Sequence, residues 1–234
     1  MNSSAPPRIV LLPGLHGTDE LAALLLSQIP REYRSLVVQY PKTGPQTYDA
    51  LLDSVSRDIP REEPVILIGE SFGGPHAIRC AASNPTNVCG VVLCASFIRS
   101  PGSSMLASLP IAMSFRAFGH SNWAIRTFLT NGDVDQSLTT LLRKVGQSLK
   151  PNLIASRLRE ALYVNCSADL SVYSGPLVYL RGIRDRLVRR GPLRQIQRIR
   201  PDVVVAEIDA PHLILQTKPD QAWCAISGAF RLEI

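Results

Sequence analysis

Six short apolar runs, separated by stretches with helical periodicity, constrain the fold of this chain more than any other feature. Each run is rich in Val, Ile and Leu and alternates little with polar residues, which is typical of strands covered on both faces. The predicted strands are Arg8–Gly14, Ser35–Pro41, Pro64–Gly69, Val88–Ser96, Pro176–Gly182 and Val203–Asp209. The predicted helices are Glu20–Gln28, Tyr48–Ile59, Phe72–Ala82, Leu193–Ile199 and Pro219–Arg231. This alternation predicts an α/β fold built on a mostly parallel sheet.

Local signals support several of these helix starts. Thr18, Thr47 and Thr217 stand where N-caps are expected, because a threonine hydroxyl can accept a hydrogen bond from an N–H of the first turn. Pro219 falls in a predicted first turn, where the missing N–H of proline has no cost.

Residues 97–172 interrupt the alternation of strands and helices. They contain helical segments broken by Pro and Gly but no convincing strand, and the interval is far longer than a simple crossover needs. We predict a helical cap over residues 97–172, inserted between the fourth and fifth strands of a core formed by residues 1–96 and 173–234. Its first part is apolar, either because it packs on the sheet or because it lines a substrate pocket. Met105, Leu109 and Met113 are the candidate pocket residues.

Length and composition exclude several classes of protein. A chain of 234 residues with 45% hydrophobic and 19% charged residues is typical of one soluble globular domain. No apolar stretch approaches the ~18 residues of a membrane span, and the first residues do not resemble a signal peptide. The five cysteines form no C-x-x-C pair. Three of them lie in apolar stretches, which favours buried thiols in a reducing compartment over metal or redox use, and we expect a cytoplasmic protein.

The net charge of +6 is distributed unevenly. Residues 97–172 contribute +4, residues 176–200 contribute +7, and the rest of the chain contributes −5. Such asymmetry indicates either a solvated basic face or an anionic partner. No nucleic-acid-binding motif accompanies it, so we expect no nucleic-acid partner.

The strand Pro64–Gly69 runs directly into the pattern Gly69-x-Ser71-x-Gly73, and a helical pattern follows. In this strand–turn–helix context, G-x-S-x-G predicts a nucleophile elbow. The sharp turn requires a strained serine backbone, and the flanking glycines remove Cβ atoms that would clash. Small-residue turns also match the pattern by chance, so the residues downstream have to support it.

A nucleophilic serine needs a base, and the base needs an orienting acid, here expected in the order Ser, Asp or Glu, His. Asp185 follows the fifth predicted strand and His212 follows the sixth, at the strand ends where open α/β sheets build their sites. They are the candidate acid and base. Asp185 has the alternative role of a turn residue or of an ion-pair partner for its flanking arginines.

The other histidines fit the role of base less well. His16 could approach the site from the first strand's end, but it precedes the serine. His76 is expected on the helix surface or in packing, and His120 is expected to be exposed in the cap.

The oxyanion of an acyl-transfer reaction needs two fixed backbone donors. One candidate is the N–H of Phe72, and the other is the N–H of Leu15 in the loop after the first strand, where Gly14 would allow a tight turn. A plain strand-to-helix turn is the alternative for that loop. Leu15, His16 and Phe72 are also candidate substrate contacts.

Three motifs in this order resemble the landmarks of the α/β-hydrolase superfamily: Gly-Glu-Ser71-Phe-Gly-Gly, Gly182-x-x-Asp185-x-x-Val188 and Pro-His212-Leu. The resemblance covers nearly the whole chain. Within the superfamily the chain is most similar to small bacterial carboxylesterases of the pimeloyl-[acyl-carrier protein] methyl ester esterase type, which have a four-helix cap at the same insertion point. Pro13-Gly14 replaces the usual His-Gly in the loop after the first strand, called here the oxyanion loop (residues 13–17), and the chain departs from the family pattern at this point.

The resemblance implies an α/β-hydrolase fold whose six strands lie in the order second, first, third, fourth, fifth, sixth. It implies a serine hydrolase that cleaves carboxylic esters or thioesters of small to medium acyl chains, without a metal or an organic cofactor. An acidic acyl carrier protein is a possible partner for the basic half of the chain. A thioesterase, a lactonase, a peptidase and a non-catalytic ligand-binding protein on the same fold remain alternatives. A nucleotide-dependent enzyme is not expected, because the sequence lacks both G-x-G-x-x-G spacing and a P-loop.

Overall fold

The computed structural model describes residues 6–83, 86–101, 129–132 and 136–232. Six strands form one sheet in the order β2-β1-β3-β4-β5-β6, and every neighbouring pair is parallel. The strands are β1 (Arg8–Leu12), β2 (Ser35–Val37), β3 (Val65–Glu70), β4 (Val88–Cys94), β5 (Leu177–Gly182) and β6 (Val204–Ile208). The predicted fold class, the number of strands and their order are confirmed.

The described helices alternate with the strands, as the apolar pattern predicts. In chain order they are α1 (Ala23–Leu26), α2 (Tyr48–Asp58), α3 (Gly73–Ser83), α4 (Gln136–Ser148), α5 (Pro151–Tyr163), α6 (Ser167–Val172), α7 (Arg190–Ile199), α8 (Ile214–Thr217) and α9 (Pro219–Phe230). None of these described helices is both long and apolar enough to cross a membrane.

The capping predictions are confirmed in part. The Thr47 side chain accepts a hydrogen bond from the Ala50 N–H and caps α2, and Pro219 lies in the first turn of α9. The predictions for the other two threonines are wrong. Thr18 uses its hydroxyl within its own loop, bonding His16 and Glu20. Thr217 ends the short helix α8, where its hydroxyl donates to the Leu213 carbonyl.

The strand side chains pack on both faces of the sheet. On one face, Val10, Leu67 and Leu93 belong to an apolar cluster that continues into α2, α3 and α7. On the other face, Leu11 and Ile68 pack with residues of α1, α8 and α9. All residues of β3 are buried, which explains why this run shows no polar alternation.

Within residues 97–172 the described helices are α4, α5 and α6, and α6 packs against α3 and α7. An isolated antiparallel β-bridge joins Arg99, near the start of this segment, to Asn165, near its end. Apolar residues of α4 and α5 cluster with Leu21, which follows β1, and with Leu213, which follows β6. Packing on the core therefore accounts for α4 and α5. The division into core and cap stays a prediction, and Met105, Leu109, Met113 and His120 lie outside the described residues.

All five cysteines are free. Cys80, Cys94 and Cys166 are buried, whereas Cys89 and Cys224 are exposed although each lies in an apolar stretch, so the prediction of buried thiols is confirmed in part. Burial raises the pKa of the Cys80 thiol to about 11, so this side chain is an uncharged core residue near neutral pH.

Candidate active site

Ser71 stands in the sharp turn between β3 and α3. Its φ of 49° lies in the left-handed region, which is strained for a residue with a side chain. The Ser71 N–H donates to the Cys94 carbonyl over 2.9 Å, and the Ser96 hydroxyl donates to the Ser71 carbonyl over 2.6 Å. These two bonds hold the strained turn against the end of the neighbouring strand β4.

The glycines on either side of Ser71 are required by close packing. A Cβ atom on Gly69 would lie 2.6 Å from the Cα atom of Gly74, and one on Gly73 would overlap the carbonyl group of Leu12. Strand β3, the start of α3 and the end of β1 therefore approach each other more closely than any larger residue allows. The two glycines of the G-x-S-x-G pattern are therefore the residues that permit this close packing.

The three residues predicted as nucleophile, base and acid come together in one hydrogen-bonded chain. His212 Nε2 lies 3.0 Å from Ser71 Oγ, and His212 Nδ1 lies 2.8 Å from Asp185 Oδ2. An ionised carboxylate can only accept, so Nδ1 carries the proton and Nε2 is left to accept one from the serine. His212 and Asp185 are 6% and 8% exposed, so the hydrogen bond between them is largely shielded from water.

The loop after β5 fixes the orientation of the Asp185 carboxylate. Its Oδ1 atom accepts hydrogen bonds from the N–H groups of Leu187 and Val188, at 2.8 and 2.9 Å. Oδ2 remains for the imidazole of His212. The Arg184 N–H also donates to the Ala210 carbonyl, so the loops that carry the acid and the base are joined directly.

The environment of His212 acts on its basicity in two directions. Burial would lower the pKa of the imidazole, but the charge and the hydrogen bond of Asp185, together with the charge of Glu70, outweigh burial. The pKa of His212 is therefore raised above its ordinary value.

Two backbone N–H groups remain as donors beside Ser71. Phe72 directly follows the serine, and Leu15 lies in the loop after β1. Within the described residues neither N–H has a hydrogen-bond acceptor. A Cβ atom on Gly14 would lie 3.7 Å from the Cβ atom of Ser71, which shows how closely this loop passes the serine. The tight turn comes from Gly17, whose φ is 67°, and not from Gly14 as the sequence predicts.

His16 lies close to Gly14, in the same loop. A Cβ atom added to Gly14 would lie 3.8 Å from the Cδ2 atom of His16. The His16 Nδ1 atom accepts the Thr18 N–H over 3.3 Å. Burial and the charge of Arg157 lower the pKa of His16 to about 4, so the ring is neutral near neutral pH. Within the described residues the hydrogen bonds of the His16 ring are to Thr18, whereas those of Ser71 Oγ and Asp185 Oδ2 are to His212, so His212 and not His16 occupies the position of the base.

His76 has a packing role, one of the two alternatives expected for it. It is fully buried among the rings of Tyr40, Tyr48 and Phe72. Burial lowers its pKa to about 3. The alternative of an exposed helix face is wrong, because α3 is covered by α2 and by the aromatic residues around it.

Sequence reasoning missed Ser96 and Glu70. Ser96 lies two residues beyond β4 and belongs to no sequence motif, although its hydroxyl donates to the Ser71 carbonyl. Glu70 is the variable residue of G-x-S and is only 3% exposed. Burial raises its pKa, against opposing hydrogen bonds from the Gln216 side chain and the Gly14 backbone. An acidic residue within an otherwise apolar buried strand is the signal that could have identified it.

No metal-binding cluster of three or more His, Cys, Asp or Glu side chains occurs in the part of the chain that the structure describes.

Comparisons with known proteins agree with this fold. The model of a family described as the alpha/beta hydrolase family matches residues 9–225. No curated protein matches the sequence. Among solved structures, an enol-lactonase from Burkholderia xenovorans LB400 has a TM-score of 0.82 at 19% identity, covering 100% of this chain and 94% of its own. A thermophilic esterase from Thermogutta terrifontis has a TM-score of 0.81 at 20% identity, covering 97% and 90%.

A bromoperoxidase from Bacillus anthracis is similar to the same extent, with a TM-score of 0.82, 15% identity and coverage of 97% and 93%. These neighbours have different activities at low identity, so the likeness to them establishes the fold and leaves the reaction to the geometry of the site.

Proposed function

This chain belongs to the alpha/beta hydrolase family, and we propose that it is a serine hydrolase that cleaves carboxylic esters or thioesters of small to medium acyl chains. The observation that carries the proposal is the position of His212, 3.0 Å from the Ser71 hydroxyl and 2.8 Å from the Asp185 carboxylate. A serine hydroxyl near neutral pH is a weak nucleophile, and this arrangement supplies the base that activates it.

In the first half of the proposed reaction, Ser71 Oγ attacks the substrate carbonyl carbon while its proton moves to His212 Nε2. The resulting imidazolium is stabilised by the Asp185 carboxylate at Nδ1. The carbonyl oxygen becomes an oxyanion, and the Leu15 and Phe72 N–H groups are its proposed donors. Collapse of this intermediate breaks the bond to the alcohol or thiol, which takes the proton from His212 Nε2 and leaves an acyl-Ser71 ester.

In the second half, a water molecule gives its proton to His212 Nε2 and attacks the acyl carbon. The second oxyanion collapses, Ser71 Oγ leaves, and it takes the proton back from the imidazole. The carboxylic acid is released and the enzyme returns to its starting state. Every proton passes through one imidazole nitrogen, in agreement with the tautomer that Asp185 imposes.

The substrate class is the narrower part of the proposal. The structural neighbours include proteins named as an enol-lactonase, an esterase, an E-2-(acetamidomethylene)succinate hydrolase and a deformylase, so they agree with hydrolysis in general and do not select the bond that is cleaved. A thioesterase, a lactonase or a peptidase would use the same three residues. Steady-state rates on p-nitrophenyl esters of increasing acyl length, a thioester and an anilide would rank these substrates.

A fluorophosphonate probe tests the nucleophile separately from the substrate. The probe reacts quickly only with an activated serine, so we expect rapid labelling of Ser71 and none in Ser71→Ala. A protein that binds esters without turnover is the alternative from another class. Failure of the folded wild type to react with the probe would favour that alternative.

We also propose an acidic acyl carrier protein as a partner that delivers the acyl group. Its support is the charge of +7 in residues 176–200, which comprise β5, the loop that carries Asp185, and α7. The structure limits this surface, because Arg181, Arg184 and Arg200 form ion pairs with Glu207, Asp209 and Asp202. Arg190 is exposed but lies 3.9 Å from Glu207, and Arg189 is exposed at the start of α7. A cytoplasmic location is supported by the five free cysteines.

A further inference from the structure

A buried arginine from the segment between β4 and β5 lies against the loop that follows β1. Arg157, in α5, is 1% exposed. Its Nη1 atom donates to the carbonyls of Leu15 and His16, at 2.7 and 3.1 Å. Nη2 donates to the Pro41 carbonyl at 3.1 Å, and Nε donates to Gln46 Oε1 at 2.9 Å. One guanidinium therefore joins three segments of the chain that are distant in sequence.

All four of these acceptors are uncharged. No ion pair of the described residues includes Arg157, although its guanidinium lies 5.3 Å from the centre of the Tyr40 ring. Burial lowers the pKa of Arg157 to about 10, so the group still carries its charge near neutral pH. A buried charge without a carboxylate partner is costly for stability, so its retention beside the candidate site calls for an explanation other than stability.

The carbonyl groups of residues 13–17 show what the arginine contributes. Tyr40 bonds the two ends of this loop, with its hydroxyl donating to the Pro13 carbonyl and its N–H donating to the Gly17 carbonyl. The Gly14 carbonyl accepts the Gly17 N–H over 3.1 Å. The remaining two carbonyls, of Leu15 and His16, are those bonded by Arg157. Removing Arg157 therefore releases the middle of the loop.

The middle of the loop carries the proposed oxyanion donor. The Leu15 N–H belongs to the same planar peptide as the Gly14 carbonyl and points the opposite way. Because that carbonyl points into the turn toward Gly17, the N–H points out of it. The next peptide is held by Arg157 through the Leu15 carbonyl. The peptide groups before and after Leu15 are therefore both held by hydrogen bonds, and together they fix the direction of the Leu15 N–H.

Gly17 shows how closely the guanidinium is seated. A Cβ atom on Gly17 would lie 2.5 Å from Arg157 Nη1 and 2.7 Å from Tyr40 Cδ2. The positive φ of 67° at this residue independently favours glycine. The turn is therefore shaped to leave room for the arginine beneath it.

We infer that Arg157 is a positioning residue for the oxyanion hole, which fixes the Leu15 N–H by holding the Leu15 and His16 carbonyls from helix α5. This inference rests on the proposed function and deepens it. A correctly placed donor stabilises the transition state much more than the bound ester, so the expected loss on removing Arg157 is in kcat.

The test compares Arg157→Ala and Arg157→Lys with Arg200→Ala as the matched control. Arg200 is also buried, lies over the Tyr173 ring and donates to the backbone carbonyls of Tyr173 and Gly175, but it lies away from the oxyanion loop. Rates on a p-nitrophenyl ester are divided by the concentration of sites that a fluorophosphonate labels to completion. This normalisation removes the effect of unfolded protein.

We expect kcat of Arg157→Ala to fall about 10²-fold with KM changed by less than about twofold, the size of loss seen when one oxyanion donor is removed. Arg157→Lys should lose nearly as much, because an ammonium cannot bridge the acceptors that a planar guanidinium bridges. Added guanidinium ion should restore part of the kcat of Arg157→Ala and leave Arg200→Ala unchanged. A trifluoromethyl ketone, whose adduct carries an oxyanion, should bind more weakly in proportion to kcat.

Several results would overturn the inference. They are a kcat of Arg157→Ala within about twofold of wild type, a loss confined to KM, or an equal kcat loss per labelled site in Arg200→Ala. A wild type that neither hydrolyses esters nor reacts with the probe would count against the proposed function instead. In that case amide hydrogen exchange over residues 14–17 decides, since it should be faster in Arg157→Ala and unchanged in Arg200→Ala if Arg157 holds the loop.

Discussion

The hydroxyl of Ser71 and Nε2 of His212 lie 3.0 Å apart, although 141 positions separate the two residues in the chain. Ser71 is placed by the turn after β3, and His212 is placed by the loop after β6, which lies at the far edge of the sheet. Because all strands are parallel, both loops lie at the carboxyl ends of the strands, at the same end of the sheet. The distance between the two side chains therefore depends on the whole sheet and not on local sequence.

Removing either residue of this pair should remove nearly all ester hydrolysis. We expect Ser71→Ala and His212→Ala to reduce kcat by a similar large factor, on the order of 10⁶ as in a well-studied serine protease, and the double variant to lose little more. The reason is that each side chain is useless for this step without the other. Steady-state kinetics would measure the losses, and circular dichroism would check the fold. Losses that multiply in the double variant would contradict a shared role.

The pH dependence of kcat/KM should show an acid limb set by His212. The base must be neutral to accept the serine proton, so activity falls as pH drops through its pKa. Because Asp185 raises that pKa above its ordinary value of about 6.5, the midpoint should lie above about 6.5. In Asp185→Asn the residual activity should be much lower and its midpoint should move to lower pH. A flat profile down to about pH 4 would exclude a histidine base.

The hydroxyl of Ser96 should affect both stability and rate. It donates to the Ser71 carbonyl over 2.6 Å and helps to hold the left-handed backbone of Ser71. Ser96→Ala removes one of two donors to that carbonyl and leaves the Gly74 N–H, so we expect a loss of about 0.5 to 1.5 kcal/mol in the free energy of unfolding and a fall in kcat. Urea denaturation and steady-state kinetics would measure the two effects.

Ser227 offers a matched control for Ser96. It is equally buried, and its hydroxyl donates to the Trp223 carbonyl within α9, away from the site. Ser227→Ala should change stability without changing kcat per labelled site. If both variants or neither of them lost kcat, Ser96 would have no specific role in shaping the turn around Ser71.

The sequence predicts well the features that one segment determines. The strands, their order and the elbow follow from apolar runs, from glycines that permit close approach, and from a family pattern that spans the chain. Asp185 and His212 could be predicted because strand ends in a parallel sheet share one edge.

Arg157 could not be predicted in the same way, since the carbonyls it bonds belong to residues 142 and 141 positions away and any arginine in a helix presents the same pattern. Glu70 and Ser96 depend likewise on how β3, β4 and α8 pack together. The N-cap predictions for Thr18 and Thr217 are wrong because their hydroxyls found nearer partners within their own turns.

A carrier-protein substrate should respond to salt in a way that a small ester does not. Arg189 is exposed at the start of α7, in the stretch that follows Asp185 at the carboxyl edge of the sheet. Attraction between this basic surface and an acidic carrier would speed their encounter, and raising salt from about 50 to 500 mM shortens the Debye length roughly threefold. We therefore expect kcat/KM to fall for the carrier-bound acyl thioester and to stay nearly constant for a neutral p-nitrophenyl ester.

Two charge reversals make this expectation specific to the site. Arg189→Glu should lower kcat/KM for the carrier-bound substrate at low salt and reduce its salt dependence. Arg61→Glu is the matched control, because Arg61 is also exposed but precedes β3 and therefore lies at the opposite edge of the sheet from Ser71. Both variants change the net charge equally, so a difference between them reports the position of the charge. Equal effects of the two reversals, or equal salt dependence of the two substrates, would leave the basic surface without a role in recruiting a carrier.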